Sequence, residues 1–143
     1  MELTPQQKDI LDRLRSRGLE IVAFPMFESL VGVRKGNCAA LLAPVIEANV
    51  RALRSGPPGH PALERYAQAA RLLTGDDAAS IQDGVAWIRE TLALLAVPGL
   101  AAFGIGPQQA GDIAARAIGS SSMQGNPVPL STDALQAIVA QAL

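Results

Sequence analysis

The chain of 143 residues has few of the side chains that most often carry chemistry: its one cysteine is Cys38 and its one histidine is His60. A single cysteine excludes an internal disulfide bond. A single histidine, without the two or three further ligands that a metal site needs, argues against a metal centre and against a histidine-based triad. We therefore interpret His60, which lies in a segment rich in glycine and proline, as a solvated loop residue.

Neither sign of charge predominates, because 12 basic and 13 acidic side chains give a net charge of −1. This balance offers no electrostatic footprint for nucleic acid or for an anionic membrane, and we expect neither as a partner. The longest run without charge, 91–111, contains Pro98 and Pro107, so it does not predict a membrane-spanning helix. The start of the chain has no apolar segment that would direct export, which predicts a cytoplasmic protein.

Aromatic residues make up 3% of the chain, although 49% of its residues are hydrophobic. The core must therefore consist of Leu, Ile, Val and Ala, which favours close helix packing over a large ligand cavity. A chain of this length can bury about two-thirds of its unfolded surface in one compact domain.

Apolar side chains recur with helical periodicity from Asn37 onward, which predicts a mainly α-helical bundle. Pro44 is expected to kink or restart the first helix, because proline lacks the backbone donor and crowds the preceding turn. The segment 55–61 separates the first helix from the second, which Gly75 ends. The residues predicted to face the core are Ile46, Val50, Leu53, Leu63, Tyr66, Ala67, Ala70, Leu73, Ile81, Val85, Ile88, Leu92, Leu95, Ile113, Ala114, Ala117, Leu135, Ile138 and Val139.

Polar residues and prolines mark the boundaries of the later helices. A third helix is predicted to begin near Asp76 or Asp77 and to end before Pro98. Pro107 opens a fourth helix, and the hydroxyl of Ser131 caps the last one.

A helix and a short strand are predicted ahead of this region. Thr4, Pro5 and Gln7 form a capping-box pattern, and Leu19–Phe24 is a short apolar strand that Pro25 stops. Because a lone strand needs a partner, this segment is an unpaired edge, a pairing site for another copy, or not a strand.

Four motifs follow one another along the chain: Lys35–Asn49, Tyr66–Gly75, Val97–Leu100 and Ser121–Pro127. In order and spacing they resemble the helical C-terminal domain of iron-containing alcohol dehydrogenases, over roughly residues 34–143. Leu11–Phe24 is similar to a helix and strand early in the nucleotide-binding domain of that family. The resemblance implies two parts, a helix-strand remnant over 1–33 and a helical dehydrogenase-like domain over 34–143.

The resemblance also implies a metal-dependent oxidoreductase using NAD(P) and iron or another divalent metal, but the chain departs from the family where the chemistry occurs. In the family the first motif opens with His-Gly, whose imidazole binds the catalytic ion, whereas this chain has Arg34 or Lys35 at that position. A permanent cation cannot donate a lone pair to a metal. The family's Gly-Gly-Gly-Ser turn and its other Asp and His ligands are also missing, so we infer an internal deletion joined between Phe24 and Lys35.

We therefore expect a chain that is inactive alone and binds neither NAD(P) nor a metal by itself, and we assign no catalytic, cofactor-binding or metal residue.

Cys38 could be a nucleophile near Lys35 at the start of a helix, but a buried inert thiol is the favoured interpretation because no histidine base accompanies it. Lys35 could act as a charge surrogate for the lost metal, or could simply be solvated. Gly104–Pro107 is interpreted as a helix connection rather than a phosphate-binding turn, because the proline removes a donor.

The acidic residues have structural interpretations as well. Those at predicted helix starts are Asp76, Asp77 and Asp133, and those on solvated helix faces are Asp83, Glu90 and Asp112. Two alternatives to the dehydrogenase-like interpretation stay open. One is a noncatalytic module that self-associates or binds a full-length relative through uncovered apolar surface; the other is a decayed gene product.

Overall fold

The computed structural model describes residues 35–143, with side chains described from Cys38 onward. The predicted capping box at Thr4 and the predicted strand Leu19–Phe24 lie outside the described residues. So does Arg34, one of the two residues at the position of the family's metal-binding histidine.

The described part of the chain is helical and contains no strand, which confirms the mainly α-helical fold. The α-helices are α1 (Lys35–Ser55), α2 (Pro61–Thr74), α3 (Ile81–Leu94), α4 (Ala110–Ile118), α5 (Ser121–Gln124) and α6 (Thr132–Gln141). Two short 3-10 turns, Leu100–Phe103 and Pro107–Gln109, connect α3 to α4.

Helix α1 packs against two helix pairs, α2 with α3 and α4 with α6. One face of α1 places Ala43 and Ile46 in a cluster with Val85 and Ile88 of α3. Another face places Val45 in a second cluster with residues of α4 and α6. The centre of the bundle is therefore the single helix that opens the described region.

Helix α1 continues through Pro44 and does not restart there. Proline removes one hydrogen bond of the helix at this point. The buried side chains of Ala43 and Pro44 keep the helix within the core, and Val50 and Leu53 continue the buried face beyond the proline. Packing on both sides of Pro44 thus outweighs the lost bond.

The predicted end of α2 is confirmed, but the predicted start of α3 is wrong. Gly75 ends α2 in the left-handed conformation, with φ 74°. Helix α3 begins at Ile81 after the N-cap Ser80, not near Asp76 or Asp77. The carboxylate of Asp76 instead accepts a bond from the backbone of Ala78 at 2.8 Å. Ser80 has the acidic residue three positions later that a capping box needs, so it starts the helix.

Of the residues predicted to face the core, ten are buried and nine are half-buried. The predicted residues that are buried are Val50, Leu53, Ala70, Ile81, Val85, Ile88, Ala114, Leu135, Ile138 and Val139. The others are half-buried: Ile46, Leu63, Tyr66, Ala67, Leu73, Leu92, Leu95, Ile113 and Ala117. They lie at the borders of helix contacts, where one side of the side chain still meets solvent.

Candidate functional site

His60 caps a helix rather than standing free in the loop. It is the N-cap residue of α2, and its Nδ1 accepts a hydrogen bond from the backbone N–H of Ala62 at 3.2 Å. The bond satisfies one of the donors that every helix start leaves open. His60 is exposed as predicted, but the interpretation as a purely solvated residue missed this structural role.

Cys38 is exposed, so the favoured interpretation as a buried thiol is wrong. The core-facing side of α1 is taken by residues such as Ala43 and Asn49, and Cys38 does not share it. Within residues 38–143, no three His, Cys, Asp or Glu side chains are grouped so that they could hold a metal ion. Lys35, the other residue at the position of the family's histidine, is the first residue of α1.

The segment Gly104–Pro107 connects helices, as predicted. Gly104 ends the first 3-10 turn in the left-handed conformation, with φ 79°. The backbone N–H of Gly106 donates to the side chain of Gln109 at 2.6 Å, and Pro107 starts the second 3-10 turn, which leads into α4. The donor of Gly106, which a phosphate would need, is thus used within the protein.

Asp83 lies in the first turn of α3 and completes the capping box rather than simply facing solvent. The hydroxyl and the backbone N–H of Ser80 donate to its carboxylate at 2.6 and 2.8 Å. These two bonds, the hydroxyl first, lower the pKa of Asp83 because they favour the charged form. Asp133 lies in the first turn of α6, as predicted, and Ser131 caps that helix through the N–H of Ala134.

A polar cluster of the buried Asn49 with the half-buried Tyr66 and Asn126 joins three parts of the chain. Asn49 and Asn126 exchange amide hydrogen bonds of 2.9 and 2.8 Å. The amide nitrogen of Asn49 also donates to the hydroxyl of Tyr66 at 3.0 Å, and that of Asn126 donates to the carbonyl of Val128 at 2.6 Å. Asn49 is 2% exposed, and its amide nitrogen and oxygen are both bonded.

The grouping of these three residues is not predicted by any spacing in the sequence. Tyr66 is predicted to lie on an apolar helix face, whereas Asn49 and Asn126 are placed only within two of the four motifs. The signal in the sequence is Asn49, an asparagine within the apolar stripe of a helix. A buried amide at such a position requires hydrogen-bond partners. These hydrogen bonds join α1, α2 and the segment that precedes α6.

A groove with several charged side chains lies between α1 and α3. This arginine groove has a volume of about 560 Å³ and is lined by Glu47, Val50, Arg51, Arg54, Ser55, Ile81, Gln82, Val85, Ala86 and Arg89. A carboxylate oxygen of Glu47 lies 2.8 Å from a guanidinium nitrogen of Arg89, which joins the two walls. Such an arrangement of guanidinium groups can bind an anion.

A second groove, of about 420 Å³, lies between α1 and α6. It shares Glu47, Arg51 and Ser55 with the arginine groove, and its other lining residues carry no charge. Arg51 thus lies between the two grooves and lines both of them.

Comparison of the chain with protein-family models, with curated proteins and with solved structures yields no match. The likeness to iron-containing alcohol dehydrogenases therefore rests on the four motifs of the sequence. Within residues 35–143, no helix combines the length and apolar character needed to cross a membrane.

Proposed function

We propose that residues 34–143 form a helical domain of the kind found in the C-terminal half of iron-containing, NAD(P)-dependent alcohol dehydrogenases, and that the chain does not oxidise or reduce substrates by itself. One observation supports the proposal. Asn49, Tyr66 and Asn126 belong to three of the four motifs, and hydrogen bonds join these residues in one polar cluster. Motif residues that contact each other are what a shared domain architecture requires.

The first motif, Lys35–Asn49, has a packing role in this chain. Its helix, α1, is the central packing element of the bundle. The position that carries a metal-binding imidazole in the family is occupied by Arg34 or Lys35, and a cation there repels a divalent ion. We propose that the helix has kept its packing role, that the chain works in the cytoplasm, and that its function is noncatalytic.

The test is oxidation of NADH and NADPH by the purified chain with short aldehydes, with iron or zinc added. An intact iron-containing alcohol dehydrogenase under the same conditions serves as the positive control. We expect no consumption of reduced cofactor above that of buffer with metal. Turnover that copurifies with the chain and is abolished by a chelator would overturn the proposal.

A second candidate is a noncatalytic module that self-associates or binds a full-length relative. Leu42 and Ile118 favour it, because these large apolar side chains remain 47% and 48% exposed. Burying two such side chains would contribute about 1 to 3 kcal/mol to an interface. Light scattering tests it: a concentration-dependent increase in mass that Leu42→Gln and Ile118→Gln abolish would support the module. A monomer at high concentration, alone and mixed with a relative, would contradict it.

A further inference from the structure

The arginine groove carries more positive than negative charge. Its walls hold three guanidinium groups, Arg51, Arg54 and Arg89, against the one carboxylate of Glu47. The carboxylate is already occupied, because it pairs with Arg89. The remaining positive charge of the groove therefore belongs to Arg51 and Arg54.

Arg51 and Arg54 have no carboxylate partner among residues 38–143. They stand three positions apart on α1, a spacing that places two side chains on the same side of a helix. The contact of Arg54 with the side chain of Gln82, at 3.5 Å, is long and uses one of the five donors of the guanidinium. Both groups thus retain donors that can bind an anion.

The apolar residues that line the groove favour a small anion over a protein partner as its ligand. Val50, Ile81 and Val85 form the floor of the groove and are only 3, 9 and 6% exposed, so they are already covered by their neighbours. A docking helix would gain little by burying them further, because hydrophobic stabilisation scales with the area removed from water. Recognition in this groove must come from charge and hydrogen bonding.

The start of α3 borders the same surface, but the carboxylate of Asp83, which caps this helix, offsets the positive end of its dipole. Ile81 and Gln82, the first two residues of this 14-residue helix, line the groove. The volume of about 560 Å³ lies within the range of about 300 to 1,000 Å³ typical of small-molecule sites.

We propose that the arginine groove binds a small molecule that carries a phosphate or diphosphate group, held by Arg51 and Arg54. A phosphate ester has a charge of about −1.5 to −2 at neutral pH. It therefore balances the charge of two guanidinium groups better than a ligand with one carboxylate would. Guanidinium groups also bind phosphate oxygens through paired hydrogen bonds. This inference depends on the charges of the groove and not on the proposed relation to dehydrogenases.

Calorimetric titration of the full chain with inorganic pyrophosphate at low ionic strength tests the proposal. We expect one saturable site, and Arg51→Ala and Arg54→Ala should each weaken binding about tenfold or more. Arg65→Ala and Arg116→Ala are matched controls, because both arginines are exposed and neither forms an ion pair among residues 38–143. The controls should change the affinity less than twofold.

Two further measurements sharpen the result. Arg51→Lys and Arg54→Lys keep the charge but lose the planar fork, so they should recover only part of the affinity. Titration with citrate separates phosphate recognition from attraction to any carboxylate, and pyrophosphate should bind at least about tenfold more tightly. No saturable binding, equal losses in the two control variants, or tighter binding of citrate would overturn the proposal. Circular dichroism of each variant verifies that the helices remain folded.

Discussion

Asn49 and Asn126 lie 77 positions apart in the sequence and exchange a pair of amide hydrogen bonds, at 2.9 and 2.8 Å. The pair links the central helix α1 to the turn before α6. Because Asn49 is 2% exposed, its own amide depends on these protein partners in the folded state. The pair therefore couples two distant segments in a way that apolar contacts, which lack direction, would not.

Removing one member of this pair should destabilise the domain. We expect Asn49→Ala to lower the free energy of unfolding by about 2 to 3 kcal/mol, because Asn126 loses a buried partner. The double variant Asn49→Ala/Asn126→Ala should cost less than the sum of the single variants, with a coupling of about 1 kcal/mol. Urea unfolding of the four proteins provides the measurement, and strictly additive effects would contradict a direct pair. Tyr66→Phe, which removes one acceptor, should have a smaller effect than Asn49→Ala.

Gly84 allows close contact between α2 and α3. A Cβ atom at Gly84 would lie 2.6 Å from the Cβ of Ala70, so Gly84→Ala must push the two helices apart. We expect a loss of about 1 to 3 kcal/mol in the free energy of unfolding. Gly111 is the matched control: it lies within α4, and its nearest new neighbour would be a Gln136 side-chain atom at 3.7 Å.

Gly111→Ala should therefore stabilise the protein, by about 0.5 to 1 kcal/mol, because alanine favours the helix. Thermal unfolding followed by circular dichroism distinguishes the two variants. Adding Ala70→Gly to Gly84→Ala should recover part of the lost stability. Equal effects of the two glycine substitutions would show that helix propensity, and not the contact with Ala70, governs position 84.

Ala96 adopts a backbone conformation that suits glycine, with φ 52° just after the end of α3. A non-glycine residue in this region costs about 1 to 2 kcal/mol, whereas glycine loses more entropy on folding. We expect Ala96→Gly to raise the free energy of unfolding by about 0.5 kcal/mol. Gly75→Ala, at φ 74°, is the reverse substitution and should lower it by about 1 kcal/mol. Urea unfolding measures both, and a destabilising Ala96→Gly would refute the strain.

The capping box of α3 should make stability depend on pH. The bonds from Ser80 lower the pKa of Asp83 below its usual value of 3.8. A lowered carboxyl pKa contributes stability that is fully present above the unfolded-state pKa and is lost as the pH falls through the folded-state pKa. The stability difference between the native chain and Asp83→Asn should therefore be largest near pH 7 and shrink below about pH 4.

Urea unfolding between pH 7 and about pH 2 measures that difference. In a Ser80→Ala background the donating hydroxyl is missing, so the effect of Asp83→Asn should depend less on pH. A difference between the native chain and Asp83→Asn that stays constant across this range would rule out the capping box as its source.

Local patterns predicted most of the described helices because their causes are local. Gly75, Pro107 and Ser131 act through their own backbone or hydroxyl groups, and the structure confirms each of them. The start of α3 was misplaced because two aspartates precede Ser80, and several polar residues in a row can each cap a helix. The exposure of Cys38 was missed for a related reason. Helical periodicity gives the spacing of a buried face but does not fix where that face begins on a long helix.

The candidate sites were less predictable than the helices. The arginine groove needs residues from α1 and α3 side by side, and no spacing within one helix reveals which second helix completes a groove. The resemblance to dehydrogenases likewise identifies motifs but does not indicate which of their residues contact each other. The position predicted for Tyr66, on the core-facing side of a helix, is compatible with many packings.

The amino-acid sequence by itself determined the helical content from Asn37 onward, most helix boundaries and the aliphatic composition of the core, because these follow from backbone chemistry and from the periodicity of apolar side chains. Only the tertiary structure decided that Asn49 bonds to Asn126 and that Arg51 and Arg54 line a groove with α3. The physical reason is that hydrogen bonds and charge pairs act over a few ångströms in space. Which distant residues come that close depends on how the helices pack.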